Sequence, residues 1–492
     1  MKNLFLFLSL LASTGLRAQM VLTGQIVHAN ACAKVVLNVP FDNWYHRQNA
    51  VEAILSDNGE FKLDLPVQKA QTIFLDFAGT RLFLYAEPHK SLVLAANAQD
   101  FRKTLKFKGQ LARENNFWVE TGLTFYTLNP QTWHDSVSAP PEILTAIQKN
   151  QKRTLTKLQK YKGNSAEFKK ITAADIQYFA GSKIMSLIYQ NNVFSAGYTS
   201  KFPRQDWLKV LQEAYALAPL SQDQAVSSYH YKQILSFYPR YLEWSTPNKA
   251  DFAKLAETVM QEPFDQVMQK VKAWGREYWE YKAFTYFLKG LALESAQASF
   301  INNLVFSGQL GYLPKAYADF TRQFPESKYR PYLAKITQPY FESRKNGNSA
   351  IVLEPNASYK NLDEILKTHR GRVVYLDIWG SWCGPCREQF AYSQTLKAYF
   401  QGQPVDFVYI AFEHRTNPEK TWQETVQFYH LTGRHILGNQ VLEDYFRSLY
   451  PYNNSLRFPS YLLFDKEGKL VTKQAEQPEA GQKLYEQINK LL

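Results

Sequence analysis

The pattern of hydrophobic and polar positions changes character along the chain. Between about Met20 and Gln110, apolar and polar residues alternate in short runs. Examples are Val21-Leu22-Thr23-Gly24-Gln25-Ile26-Val27 and Thr72-Ile73-Phe74-Leu75-Asp76-Phe77, with turn signals at Asp57-Asn58-Gly59 and Ala78-Gly79. A period of two is that of a half-buried strand, so residues 19–115 are expected to form a small antiparallel β-sandwich. From about Pro140 to Phe341 the spacing lengthens. Phe252, Ala256 and Val259 fall at i, i+4 and i+7, Asn248 or Asp251 can cap that helix, and Pro203 and Pro325 mark breaks. An all-α domain over 116–343 is predicted. The polar stretch Ser343-Arg344-Lys345-Asn346-Gly347-Asn348-Ser349 reads as a linker, 344–350. Beyond it, over 351–492, strands alternate with helices in the manner of an α/β domain. A chain of 492 residues is too long for one core, so the fold class expected is multidomain.

The first residues follow another pattern. Lys2 precedes the apolar run Leu4-Phe5-Leu6-Phe7-Leu8-Ser9-Leu10-Leu11, and Ala18 stands before Gln19. A charged start, a short apolar stretch and a small residue read as a signal peptide over 1–18. The run is too short to cross a bilayer, and no later stretch reaches the roughly 18 apolar residues a spanning helix needs. The expectation is a periplasmic or otherwise exported protein without stable membrane insertion. Its cysteines number only three, Cys32, Cys383 and Cys386. An exported fold stapled by disulfides carries more of them, in even number. The net charge of +13 lies wholly in the first 345 residues, with 41 basic against 28 acidic groups; the rest holds sixteen of each. With no basic run and no nucleic-acid motif, this reads as a solvated surface, and no nucleic acid is expected as partner. Aromatic residues make up 15% of the chain and are expected mainly to fill helical cores.

The chemistry concentrates in one place. Val373-Val374-Tyr375-Leu376-Asp377-Ile378-Trp379 is nearly continuous in apolar character, as in a strand buried on both faces. It leads into Gly380-Ser381-Trp382-Cys383-Gly384-Pro385-Cys386, and Arg387 to Phe400 suits a helix. The cysteine pair thus sits at a helix N-terminus, where unpaired N–H groups and the helix dipole favour the thiolate of the first cysteine. Cys383, at the tip, is the expected nucleophile, and Cys386, one turn in, the resolving thiol. A zinc site needs about four ligands, and the chain has no second CxxC or suitably spaced His pair. The pair is therefore read as a redox-active disulfide, with no metal and no further cofactor.

The segment Asp377-Ile378-Trp379-Gly380-Ser381-Trp382-Cys383-Gly384-Pro385-Cys386 resembles the active-site strand and loop of thioredoxins, a likeness covering about the last 140 residues. It implies a C-terminal α/β thioredoxin fold. It also implies that Asp377, six positions before the first cysteine, lies buried behind the pair and exchanges a proton with the resolving thiol. Burial of an Asp in an apolar strand raises its pKa. Pro459, in Arg457-Phe458-Pro459-Ser460, matches the cis-proline that faces the cysteines, with the preceding residue pairing with an extended substrate. Trp382, Phe458 and Pro459 would then form an apolar lip, and Gly384 and Pro385 complete the candidate substrate-binding residues. The long stretch from Cys386 to Pro459, with helix candidates Glu419–His430 and Gln440–Tyr450, resembles the exported TlpA/ResA-like branch, whose members usually act as reductants, including in cytochrome c maturation. Many members carry Glu three positions after the second cysteine; here that position is Gln389, with Glu388 one earlier. In the front part, Asp57-Asn58-Gly59-Glu60-Phe61, Glu87-Pro88-His89-Lys90-Ser91-Leu92 and Phe107-Lys108-Gly109-Gln110 resemble the N-terminal β-domain of Bacteroidetes-type exported thioredoxin-like proteins.

These readings imply an exported thiol–disulfide oxidoreductase that reduces disulfide-bearing protein substrates and is recharged by a membrane or periplasmic electron donor. The same residues would serve a disulfide oxidase or isomerase of folding proteins. A third alternative makes residues 20–345 a binding or scaffold module carrying a redox domain. Cys32 is expected to be an inert buried thiol. His414, after the strand Phe407-Val408-Tyr409-Ile410-Ala411-Phe412, reads as a surface residue more than a functional one.

Overall fold

The structure, a computed structural model, describes residues 20–492 other than 31–32, 42–49, 125–138, 164, 196–197, 199–201, 247, 344–349, 356–357, 415–416 and 451–455. The expected signal peptide, Cys32 and nearly all of the expected linker lie outside the described residues. The chain divides between Tyr238 and Pro239 into two compact units.

The first unit opens with eight strands: β1 (Met20–Val27), β2 (Lys34–Asn38), β3 (Ala50–Ile54), β4 (Glu60–Leu65), β5 (Gln71–Phe77), β6 (Thr80–Ala86), β7 (Ser91–Asn97) and β8 (Lys106–Lys108). They form two four-stranded sheets, ordered β4-β1-β7-β8 and β3-β2-β5-β6. Alternation does what period two requires: Phe61, Leu63 and Leu65 of β4 point inward while Glu60, Lys62 and Asp64 face solvent. One pairing departs from the antiparallel expectation. β1 and β7 run parallel, from Val21 opposite Ser91 to Val27 opposite Asn97. A parallel pair needs a long crossover, and five intervening strands supply it. Helices follow: α1 (Ala112–Thr121), α2 (Pro140–Gln159), α3 (Ala166–Gln190), α4 (Arg204–Ala216) and the first part of α5 (Tyr229–Ser245), whose Pro239 opens the second unit. Asn115 of α1 ties the helix to β6, accepting from the backbone N–H of Tyr85 at 2.9 Å and donating to its carbonyl at 3.0 Å.

The second unit continues with α6 (Lys249–Met260), α7 (Phe264–Trp274), α8 (Glu277–Phe287), α9 (Gly290–Ser307), α10 (Leu313–Gln323) and α11 (Arg330–Ser343). Asn248 caps α6, its side chain accepting from the amides of Ala250 and Asp251 at 2.9 and 3.0 Å. Then come β9 (Ile351–Glu354), α12 (Leu362–Leu366), β10 (Val373–Trp379), α13 (Gly384–Tyr399), β11 (Val405–Ala411), α14 (Pro418–Phe428), β12 (Gly433–Leu437), α15 (Gln440–Ser448), β13 (Ser460–Phe464), β14 (Leu470–Thr472) and α16 (Gln482–Asn489). The strands make one sheet in the order β14-β13-β10-β11-β12-β9. β10 lies inside it, parallel to β11 and antiparallel to β13, and all seven of its residues are buried. Val374, Leu376 and Ile378 face the layer of α12 and α15. Val373 and Tyr375 face the opposite layer, with Leu396 of α13 and Leu484 and Ile488 of α16. Helices on both faces of this mixed sheet make the last 140 residues the expected thioredoxin fold. Among the described residues, no helix is long and apolar enough to cross a membrane.

Candidate active site

β10 ends at Trp379, and the chain turns through Gly380 to Trp382 into α13. Cys383 is the N-cap of that helix, and its sulfur accepts from the backbone N–H of Cys386 at 3.1 Å. Pro385 stands in the first turn, where a missing N–H removes no helical bond. Cys383 and Cys386 are joined by a disulfide. The two are almost equally covered, 4% exposed for Cys383 and 1% for Cys386, because the helix tip is itself packed. Gly384 is half-buried and Pro385 exposed.

The loop after β11 holds this turn in shape. The Glu413 carboxylate accepts from both the backbone N–H and the hydroxyl of Ser381, each at 2.6 Å. The Trp382 indole N–H donates to the Phe412 carbonyl at 2.8 Å. The Trp382 ring stands 4.8 Å from that of Phe458 and 5.5 Å from that of His414. The Phe458–Pro459 peptide bond is cis. Trp382, Phe458 and the cysteines belong to one apolar cluster with Trp379, Phe390 and Trp422.

Beneath the pair lies Asp377. Strand alternation sets it between Tyr375 and Trp379, on the face covered by α13. It is 3% exposed, and its Oδ1 has no hydrogen-bond partner. Burial pushes its pKa up to about 8, and the facing cation of Lys397 only partly opposes this. Lys397, on α13, is pushed down to about 7 by the same burial. Its ammonium donates to the Thr432 carbonyl and lies 4.6 Å from the ring centre of Tyr409. Tyr409 and Tyr461 sit opposite Asp377 on the neighbouring strands, and both are raised, first by burial and then by the carboxylate. Burial that raises the carboxyl and lowers the amine brings their proton affinities close together, so one proton can pass between them at little cost.

Gln389 does not look toward this carboxyl. It is buried against the turn at Pro478–Ala480, where its amide accepts from the Glu479 N–H at 3.0 Å and donates to the Glu479 carboxylate at 3.1 Å. Sequence reasoning passed over three residues. Glu413 follows directly on a parallel strand, where loop residues commonly form sites. Lys397 completes the series Cys386, Phe390, Ser393, Lys397, a cation at helical spacing in a buried stripe. Arg387 had no signal of its own; it is 7% exposed, its Nε donates to the Cys383 carbonyl at 3.4 Å, and its guanidinium donates to the Phe306 carbonyl. Among the described residues, no group of three or more His, Cys, Asp or Glu side chains is arranged to hold a metal ion.

Comparison with known proteins agrees with this geometry. Residues 355–488 match the Redoxin family. The thiol–disulfide oxidoreductase ResA of Bacillus thuringiensis subsp. konkukian is 24% identical over 129 residues, which are 26% of this chain and 65% of that protein. ResA of Bacillus subtilis is 24% identical over 102 residues, 21% of this chain and 52% of that protein. The chain therefore spans just under two thirds of the first of these relatives and about half of the second. Among solved structures, the thioredoxin domain of a thiol–disulfide oxidoreductase from Bacteroides vulgatus covers 25% of this chain and 82% of its own length, at 22% identity and a TM-score of 0.21. The sequence matches, taken with the fold and the cysteine pair built into it, lead to one conclusion: the carboxy-terminal domain is a thioredoxin-fold domain that matches the Redoxin family and is similar to the ResA thiol–disulfide oxidoreductases.

Proposed function

We propose that the protein is an exported reductase of protein disulfides. The observation that carries this reading is the Cys383–Cys386 pair at the N-terminus of α13, with a neutral-tending Asp377 on the strand beneath. In the reduced protein the Cys383 thiolate attacks one sulfur of a substrate disulfide. The other substrate sulfur leaves as a thiolate and is protonated. Ionised Asp377 takes the proton of Cys386, whose sulfur then attacks Cys383 and expels the second substrate thiolate. Two electrons have passed: the substrate has two thiols, and Cys383–Cys386 is a disulfide. Trp382, Phe458 and Pro459 form the lip against which an extended substrate lies, with Gly384 and Pro385 beside the sulfur. A membrane or periplasmic donor of thiol electrons returns the pair to its reduced form.

Redox titration against glutathione tests the direction. A potential near that of thioredoxin, about −270 mV, is expected; one near about −120 mV, as in strong oxidants, would assign the site to disulfide formation instead. A Cys386→Ala variant produced in the exported compartment should accumulate mixed disulfides through Cys383. Recovery of no attached protein would count against protein substrates.

A further inference from the structure

Within the second unit, the helices before β9 and the thioredoxin fold line a half-open cavity of about 270 Å³. One wall is Trp274 and Tyr312 with the backbone of Gly311, and the Glu277 carboxylate covers Gly275 beside them. The other comes from His414 and from α14, through Lys420 and Thr421. The aromatic wall is fixed in place. Trp274 meets Tyr278 edge-on at 5.2 Å and lies 6.0 Å from Tyr312, which is 1% exposed. The two sides are tied together, since Arg387 reaches from the Cys383 carbonyl to that of Phe306 and Asn417 donates to the Lys272 carbonyl at 3.5 Å.

Two properties narrow what the cavity takes. It is smaller than the roughly 300–1,000 Å³ of small-molecule sites, so a single side chain suits it better than a free cofactor. Its lining sets the rings of Trp274 and Tyr312 among polar and charged groups, Arg276 and Glu277 on the same side and His414 and Lys420 on the other, which fits a flat ring with a polar edge. Position supplies the rest: His414 lines the cavity and also packs on Trp382, beside the cysteines. We propose that the cavity receives an aromatic side chain of the substrate polypeptide, next to the cystine that Cys383 attacks. The proposal rests on the reductase reading above and adds substrate selection to it.

The test uses the full chain, reduced beforehand and freed of reductant, in single-turnover mixing. Its substrates are two cystine peptides that differ only in carrying Tyr or Ala beside the cystine, and bis(2-hydroxyethyl) disulfide, which has no side chain to dock. The Tyr peptide should react about tenfold faster than the Ala peptide, the scale of one aromatic packing interaction. Two variants should bring that ratio to within about twofold of unity. Trp274→Ala removes the wall. Gly311→Phe plugs the space, because a side chain added there meets no atom within 4 Å. If Trp274→Ala fails to fold, Gly311→Phe alone decides. A wild-type ratio near one, or a ratio kept in the folded variants, overturns the pocket. Inertness of the wild type toward the small disulfide would instead overturn the reductase reading.

Discussion

Among the described residues each compact unit holds one buried aspartate, and the two are treated differently. Asp175, on α3 of the first unit, accepts from the Ser228 hydroxyl at 2.6 Å and from the backbone N–H of His230 at 3.5 Å. It thereby satisfies donors at the start of α5, the work of a helix cap done from a neighbouring helix. His230 turns its ring away, with Nδ1 3.0 Å from the Ser182 hydroxyl, and burial depresses its pKa to about 3. Ser, His and Asp are thus together without forming a relay, because the carboxyl holds the histidine's backbone and not its ring. Burial raises Asp175 to about 7 and Asp377 to about 8. Similar shifts therefore mark one group whose hydrogen bonds build a helix end and another whose Oδ1 is unpartnered beside Lys397 and a redox pair. The shift alone does not identify function; the state of the hydrogen bonds does.

The sharpest way to break this contrast is the same substitution at both positions. Asp377→Asn should slow single-turnover reduction on the order of a hundredfold, the scale of a lost general base, and should remove the rate increase on ionisation near pH 8. Asp175→Asn should leave rate and pH profile unchanged. Stability should move the other way. Between about pH 4 and about pH 8, folded Asp377 keeps a proton that the unfolded chain has released, so its contribution to stability is full at low pH and lost as pH rises. Asp377→Asn does not titrate, so its stability relative to wild type should climb through that window, by at most about 1.4 kcal/mol per pH unit, and level off above it. Urea unfolding at several pH values reads the slope. An unchanged rate profile in Asp377→Asn would dissolve the distinction between the two carboxyls.

The next effect belongs to Asp175. Asp175→Ala strands the Ser228 hydroxyl and the His230 N–H inside the helical core, both in residues less than a tenth exposed. Unpaired buried donors of this kind cost about 1–3 kcal/mol each, so a loss of about 3 kcal/mol is expected in urea unfolding, with activity per folded molecule intact. A loss below about 0.5 kcal/mol would show that the cap holds nothing in place.

How much of this was legible beforehand follows from how local each signal is. The alternating run that became β1 and the continuous apolar run that became β10 depend on neighbours two residues apart, and the segments carry them openly, whereas β5, also read as alternating, is buried on both faces. The cysteine turn was equally local. The parallel pairing of β1 with β7 joins residues about seventy apart and left no trace in either strand. Lys397, Glu413 and Arg387 act on the site from the far end of a helix, from the next strand and through a different group of helices. Each is an ordinary surface residue until the fold brings it in. Gln389 shows the limit of position matching, since a departure at a family position acquires meaning only from what the side chain faces.

The smallest expected effect concerns a carboxylate that shares features of both. Like Asp175, Glu413 pairs with a hydroxyl and a backbone N–H, but those donors belong to Ser381, two residues before the nucleophile. Ser381 is fully buried, so both donors need partners. Glu413→Gln keeps the side chain's shape and one oxygen acceptor while removing the charge that strengthens the bonds. If the contrast drawn above is sound, satisfied hydrogen bonds mean structure even this close to the chemistry. Stability should then fall by about 1 kcal/mol, while the single-turnover rate stays within about threefold of wild type and its pH profile keeps the inflection set by Asp377. A rate loss approaching that of Asp377→Asn, at equal stability, would mean that Glu413 takes part in the proton chemistry and that hydrogen-bond satisfaction does not separate the two kinds of buried acid.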